Sequence, residues 1–320
     1  MARPLIAVTD SVFPSLDPAM AALKRIDPEM RMAKSSSPDD ILAVAREADG
    51  VLVTYAKLSG DLLRQLKRCK VIGRFGLGVD NIDIPVATEC GITVTYVPDY
   101  CMHEVSDHAM ALLLALARKI PFSDRLVQAG RWEMPAVVPI RRLAGRTLGL
   151  VGFGNIPRAL APKAKAFGLR VVTHDPYVSR EVLAAAGVEG LSFDDLLATS
   201  DYVSIHAPLL PATRGLLNAQ AFAKMKKGAL LVNTARGPLI DEAALVAALD
   251  AGQVGGAALD VVTTEPLAQD SPLKGRDNVI LTPHTGFYSV EALEELQSKC
   301  ARDVARVLSG EKPVYPVKPA

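Results

Sequence analysis

The sequence predicts an α/β protein built from two doubly wound parallel-sheet domains. Two observations carry that prediction. Short apolar runs alternate with helical patterns along the whole chain, as they do in βαβ units. The length of 320 residues suits two such domains better than one. A third observation limits the function. With 36 Lys+Arg against 35 Asp+Glu the net charge is +1, which gives no electrostatic footprint for nucleic acid or an anionic membrane. Hydrophobic residues at 49% exclude intrinsic disorder.

The elements follow in order. Leu5–Thr9 reads as a strand. Pro38-Asp39-Asp40 starts a helix whose apolar side carries Ile41, Leu42, Val44 and Ala45. Val51–Thr54 is a strand, Ser59–Leu66 a helix, and Val71–Gly73 a strand that runs into the loop Arg74-Phe75-Gly76-Leu77-Gly78. A short helix at Ile84–Glu89 precedes the strand Ile92–Thr95. Glu104–Arg118 is a long Ala/Leu-rich helix, acidic at its start and basic at its end, which suits the macrodipole. Pro121 is expected to stop it, and a loop with the only tryptophan, Trp132, to follow.

A second α/β series then begins. Its strands are Thr147–Val151, Val171–His174, Tyr202–Ile205, Ala229–Asn233, Gly256–Asp260 and Val279–Leu281. Val290–Leu308 is a terminal helix, which the tail containing Pro313, Pro316 and Pro319 cannot continue. The two long helices are the natural crossings between domains, so the first domain is discontinuous: residues 1–101 plus 288–320, with 102–287 as the second. Cys69, Cys90, Cys101 and Cys300 form no CxxC pair and suggest neither a disulfide framework nor a metal site. No signal-peptide core opens the chain, and the longest apolar run, Ala109–Ala117, is far short of the about 20 residues of a membrane span. A cytoplasmic protein is expected.

Thr147–Val151 runs straight into Gly152-Phe153-Gly154-Asn155-Ile156-Pro157 and a helical pattern. Strand, glycine turn and helix in that order form a dinucleotide-binding fingerprint. Gly152 permits the tight turn. Gly154 lets the backbone approach a pyrophosphate seated on the helix N-terminus. Pro157 replaces the third glycine and is tolerable in a first helical turn, although the helix is then expected slightly further from the sheet. Asp175 follows the next strand, where an acid holds the adenosine ribose hydroxyls. With no arginine beside it, it favours NAD over NADP.

Three polar residues recur at strand ends: Arg236 in Asn233-Thr234-Ala235-Arg236-Gly237, Glu265 before Pro266, and His284 in Thr282-Pro283-His284-Thr285-Gly286. In these motifs, and in the loop at 73–83, the chain resembles the D-isomer-specific 2-hydroxyacid dehydrogenase family, in its C-terminal-binding-protein-like and phosphoglycerate dehydrogenase-like branch. The resemblance covers nearly the whole chain. It implies a flavodoxin-like substrate domain, a Rossmann NAD-binding domain, and hydride exchange between a 2-keto acid and a D-2-hydroxy acid. The chemistry asks for these residue types. A planar guanidinium suits a carboxylate, a histidine moves protons near neutral pH, and a carboxylate partner favours its imidazolium and orients the ring. Arg236 is thus the expected substrate anchor, His284 the acid/base and Glu265 its partner.

The resemblance further implies that Leu77 and Gly78 hold the substrate carboxylate through backbone N–H groups, with Tyr100 near the substrate. Arg74 could read a second anionic group. Around the cofactor it places Gly152, Gly154, Asn155, Ile156, Asp175, His206, Ala207, Pro208, Thr213, Thr234, Ala235, Arg236, Asp260, His284 and Gly286, with Asp260 on the nicotinamide side. His103, His108 and His174 read as structural. The family arm that packs against a partner subunit corresponds to Trp132 and Pro135–Ile140, which implies a homodimer. The alternative function is an NAD-sensing, corepressor-like binding module with little turnover. His284-Thr285-Gly286-Phe287-Tyr288-Ser289 resembles the corepressor segment, but Phe287 stands where those proteins carry tryptophan. Formate dehydrogenases carry glutamine where Glu265 stands, and methyltransferases with a GxG turn have no use for the Arg, Glu and His set.

Overall fold

The computed structural model describes residues 3–318, so Pro319 of the expected tail lies outside the described residues. The chain divides into two compact units. One takes in everything up to Tyr100 and everything from Ser289 onward; the other runs from Cys101 to Tyr288.

The first unit begins β1 (Leu5–Val8), α1 (Asp17–Leu23), β2 (Glu29–Met32), α2 (Pro38–Ala45), β3 (Gly50–Val53), α3 (Gly60–Leu63), β4 (Val71–Arg74), α4 (Ile84–Glu89) and β5 (Thr93–Thr95). Its five strands are all parallel, in the order β2-β1-β3-β4-β5, the flavodoxin-like doubly wound order. Every residue of β3 and β4 is buried. A strand covered on both faces has no reason to alternate, which is why Gly50–Val53 and Val71–Gly73 read as unbroken apolar runs, with the buried Arg74 closing β4. Ser37 caps α2 by accepting the Asp40 N–H, with Pro38 in the first turn. β2 has no counterpart in the sequence reading, because its Glu29-Met30-Arg31-Met32 lies at an exposed edge and needs no apolar run.

The second unit contains α5 (Met102–Ala117), α6 (Ile120–Gln128), β6 (Thr147–Val151), α7 (Asn155–Ala166), β7 (Arg170–His174), α8 (Arg180–Ala185), β8 (Glu189–Gly190), α9 (Phe193–Thr199), β9 (Tyr202–Ile205), α10 (Ala219–Lys224), β10 (Ala229–Asn233), α11 (Glu242–Asp250), β11 (Val254–Leu259) and β12 (Val279–Leu281). Its parallel sheet has the order β8-β7-β6-β9-β10-β11-β12. The winding direction reverses between β6 and β9, and in such sheets ligands sit outside the carboxyl ends of the strands at that reversal.

The segment after α5 departs from the expected loop. Lys119 takes a left-handed conformation (φ 54) that breaks the chain direction, and Ile120–Gln128 then forms α6 with Pro121 in its first turn. Proline lacks only a hydrogen bond that the first turn would not make, so it starts this helix instead of merely ending the previous one.

The chain returns to the first unit as α12 (Val290–Leu308), capped by Ser289, with Glu291 in its first turn and Arg306 in its last. Its buried face, including Leu293, Leu296, Cys300 and Val304, packs on α1 and β4. The following tail lies antiparallel against β5, where Thr95 faces Pro316. Val317 donates to the Val94 carbonyl and Tyr96 to the Tyr315 carbonyl. The buried Asp303 carboxylate accepts from the amides of Val314 and Tyr315, both at 2.8 Å. No helix among the described residues is long and apolar enough to cross a membrane.

Candidate functional site

In the second unit the glycine turn leaves β6 at the sheet's reversal. Gly152 has φ 95, and a Cβ there would fall 3.1 Å from the His206 carbonyl carbon and 3.2 Å from the Ala207 nitrogen, so glycine is needed for both conformation and space. A Cβ on Gly154 would meet nothing within 4 Å: this side of the turn is open. Asn155 and Ile156 begin α7, and no side chain caps its start, so first-turn N–H groups are available to an anion. Pro157 is buried in that first turn.

Asp175 braces the turn as well as flanking it. Its Oδ2 accepts the Phe153 N–H at 2.8 Å and its Oδ1 the Tyr177 N–H at 2.9 Å. The glycine turn and the acid therefore form one hydrogen-bonded unit. At the end of β9, the His206 ring lies 2.8 Å from Ser204 Oγ. Burial of the imidazole pushes its pKa down to about 3, leaving it neutral. Beyond Ala207 and Pro208, the Thr213 hydroxyl donates to the Pro208 carbonyl at 2.6 Å. After β10, the Thr234 hydroxyl oxygen is buried with no hydrogen-bond partner among the described residues. A buried orphan of this kind invites a ligand atom. The open glycine turn, uncapped helix start, braced carboxylate and orphaned hydroxyl all fit a dinucleotide.

The three candidate catalytic residues follow three neighbouring strands of this same sheet. Arg236 is half-buried beyond β10. The fully buried Asn233 shapes its turn, donating to the Arg236 carbonyl at 2.9 Å and accepting the Ala235 N–H at 3.0 Å. Glu265 follows β11 and His284 follows β12. His284 Nδ1 lies 2.8 Å from Glu265 Oε2, while Glu265 Oε1 accepts the Val262 N–H at 3.2 Å. A carboxylate only accepts, so Nδ1 carries the proton on the Glu265 side. Phe287 meets the ring edge-on at 6.1 Å.

Asp260 lies at the end of β11 and organises the turn beneath His284. Its carboxylate accepts from Thr285 and Gly286 N–H, each at 2.9 Å, and from the Thr282 hydroxyl at 2.6 Å. The sequence singles out Asp260 and Gly286 only as expected cofactor-side residues, and does not single out Asn233 and Thr282. Both sit inside the same motifs as Arg236 and His284, and their polarity at buried strand ends was the available signal.

In the first unit, Phe75 and Gly76 leave β4 tied back to it and to β3 through the Arg74 and Val53 carbonyls. Among the described residues nothing accepts the N–H groups of Leu77 or Gly78, and Leu77 is exposed. Two adjacent free amides can hold a carboxylate. Arg74 is buried, donates to the Phe75 carbonyl at 2.6 Å and lies over the Tyr55 ring. Tyr100 is buried. The preceding Asp99 accepts from the Tyr315 hydroxyl at 2.8 Å and Lys299 at 3.2 Å.

Residues 110–286, more than half the chain, match the NAD-binding domain of the D-isomer specific 2-hydroxyacid dehydrogenases. The D-3-phosphoglycerate dehydrogenase 2 of Arabidopsis thaliana chloroplasts is 45% identical over 244 residues, 76% of this chain and 39% of that protein. Across the curated relatives the chain spans less than half of their length. Solved structures match over essentially the full length. The TT0316 protein of Thermus thermophilus is 35% identical with a TM-score of 0.89, covering 98% of this chain and 100% of that one. The D-lactate dehydrogenase of Aquifex aeolicus, complexed with NAD and lactic acid, is 29% identical with a TM-score of 0.87, covering 99% and 100%. The glycine turn with its braced acid, the Arg, Glu and His residues on successive strands, and this domain match together establish that the chain belongs to the D-isomer-specific 2-hydroxyacid dehydrogenase family.

Proposed function

We propose that this protein is an NAD-dependent oxidoreductase that interconverts a 2-keto acid and a D-2-hydroxy acid. The observation that supports the reading best is the His284–Glu265 pair: a 2.8 Å contact holds the Nδ1 proton on the carboxylate side and orients the ring, and proton exchange with the substrate is then assigned to Nε2. Gly152, Gly154, Asp175 and the Thr234 hydroxyl would hold NAD, which when bound would supply or accept the hydride. His284 gives a proton to the substrate oxygen during reduction and removes it during oxidation. Glu265 orients the imidazole and balances its charge. Arg236 anchors the carboxylate with its planar fork and polarises the carbonyl. In the first unit, the amides of Leu77 and Gly78 are the carboxylate-binding donors, and Tyr100 shapes the substrate side.

Relatives named D-3-phosphoglycerate dehydrogenase and a neighbour named D-lactate dehydrogenase support small 2-keto acids as the substrate class. The test is NADH oxidation over a panel of glyoxylate, pyruvate, hydroxypyruvate, 3-phosphohydroxypyruvate and bulkier 2-keto acids. Turnover of at least one supports the reading. NADH binding with no turnover on any would instead favour the cofactor-sensing module. The same reading includes a homodimer. Ile120, Val127, Trp132, Met134 and Val138 expose apolar side chains on one stretch of chain, Trp132 being 89% exposed, and a concentration of this kind marks an association surface.

A further inference from the structure

Only 2% of the Asp260 side chain is exposed, and a buried carboxylate requires compensating bonds. Besides Thr282, Thr285 and Gly286, it meets His108 of α5, whose Nε2 lies 3.3 Å from Asp260 Oδ1 and 3.0 Å from Thr282 Oγ1. Burial alone raises the Asp260 carboxyl. The bonds from His108, Thr282, Gly286 and Thr285 outweigh it and hold the group below the usual carboxylate range, so it is ionised and only accepts.

The proton inventory then has one solution. The Thr282 hydroxyl has a single proton, and it points to Asp260 at 2.6 Å. Toward His108 the hydroxyl presents only lone pairs, so His108 Nε2 carries a proton and donates it. A directed chain runs from α5 through Thr282 to Asp260. Beyond Asp260 lies the turn that bears His284, whose N–H donates to the Asp260 backbone carbonyl at 2.8 Å. His284 is left-handed, with φ 54, a conformation that a non-glycine residue keeps only when its surroundings enforce it. Gly286 fits the same packing: a Cβ there would fall 2.8 Å from Asp260 Oδ2 and 3.2 Å from His108 Cδ2.

We propose that His108 is a positioning residue for proton transfer: its Nε2–H, directly and through Thr282, fixes the Asp260 carboxylate, and that carboxylate locks the turn holding His284. The catalytic half of this inference rests on the proposed role of His284. The structural half does not, and the experiment separates them. Hydrogen exchange of the peptide covering residues 282–288 is compared in the cofactor-free wild type, His108→Leu, His108→Gln and Thr282→Val. His108→Leu is expected to speed exchange at Thr285 and Gly286 about tenfold, and His108→Gln, which retains an N–H donor, to recover most of the protection. With a 2-keto acid that the wild type reduces, His108→Leu should lose about tenfold or more in kcat with little change in the KM for NADH, and His108→Gln should recover most of it.

Unchanged exchange in His108→Leu overturns the proposal whatever the substrate, and so does equal loss in the Leu and Gln variants. Faster exchange with an unchanged kcat overturns its catalytic half. If the wild type reduces no 2-keto acid, the dehydrogenase reading fails while the exchange comparison still decides the structural one. Should His108→Leu not fold, Thr282→Val breaks the same chain at nearly constant volume and is read the same way.

Discussion

At the scale of single residues, the Nδ1 contact with Glu265 makes His284 a specific mechanistic commitment. Replacing His284 by Ala should cut kcat about a hundredfold or more on a confirmed substrate. NADH affinity, read by fluorescence titration, should barely move, because the proposed dinucleotide determinants lie at the glycine turn and Asp175. Glu265→Gln should be milder, since it keeps the hydrogen bond and loses only the charge. In the proposed role on the adenosine ribose, Asp175, followed in sequence by Pro176 and Tyr177, would repel a 2′-phosphate, so kcat/KM should favour NADH over NADPH by at least about tenfold; equal values would sink that reading. His206 makes a different prediction. Its folded pKa of about 3 lies below the ordinary value of 6.5. Between those values the unfolded chain takes up a proton that the folded chain does not, so stability is full above about 6.5 and falls as the pH drops toward 3. The slope should approach at most about 1.4 kcal/mol per pH unit, and His206→Asn should flatten it in urea titrations. Residue identities of this kind were legible because each functional group follows a strand inside a compact motif. The His108 contact was not legible: helical spacing along α5 says which residues share a face, but not that one of them meets a threonine 174 positions later.

Elements were most legible where burial forces a pattern. β3, β4 and β6 are covered on both faces and appear in the sequence as apolar runs. β2 and the two-residue β8 are exposed edges, and their residues answer to solvent more than to a core. α6 was hidden by the double meaning of proline, which ends one helix and begins the next. α12 was plain at both ends because its start and stop are local chemistry. Ser289 accepts the Ala292 N–H at 2.9 Å, satisfying an end group that α12 cannot satisfy itself. Ser289→Ala should therefore lower stability by about 1 kcal/mol in denaturant unfolding, with the m-value unchanged. Ser289→Asp should restore most of the loss, because aspartate both caps and favours the helix N-terminus.

At the scale of the whole molecule, the exposed apolar side chains between Ile120 and Val138 predict association. Light scattering at micromolar concentration should report a dimer, and Trp132→Glu combined with Met134→Glu should shift it toward monomer without altering the circular dichroism spectrum; a monomeric wild type would refute the dimer. The two parallel sheets themselves were readable from the βαβ rhythm, since parallel neighbours need a long crossover connection, usually a helix. The fastening of the tail beside β5 was not, because Lys312–Lys318 has no periodicity and is held by single long-range bonds to Asp303, Val94 and Tyr96. That fastening bears on solubility. An open sheet ends in two rows of unused peptide groups, each a template on which another chain can build. In the five-stranded sheet one border is blunted by the charges of Glu29 and Arg31, and the other is occupied by the molecule's own tail. The last stretch of chain thus acts as a built-in stopper against strand-to-strand aggregation, and Asp303, by gripping two of its amides, keeps the stopper in place.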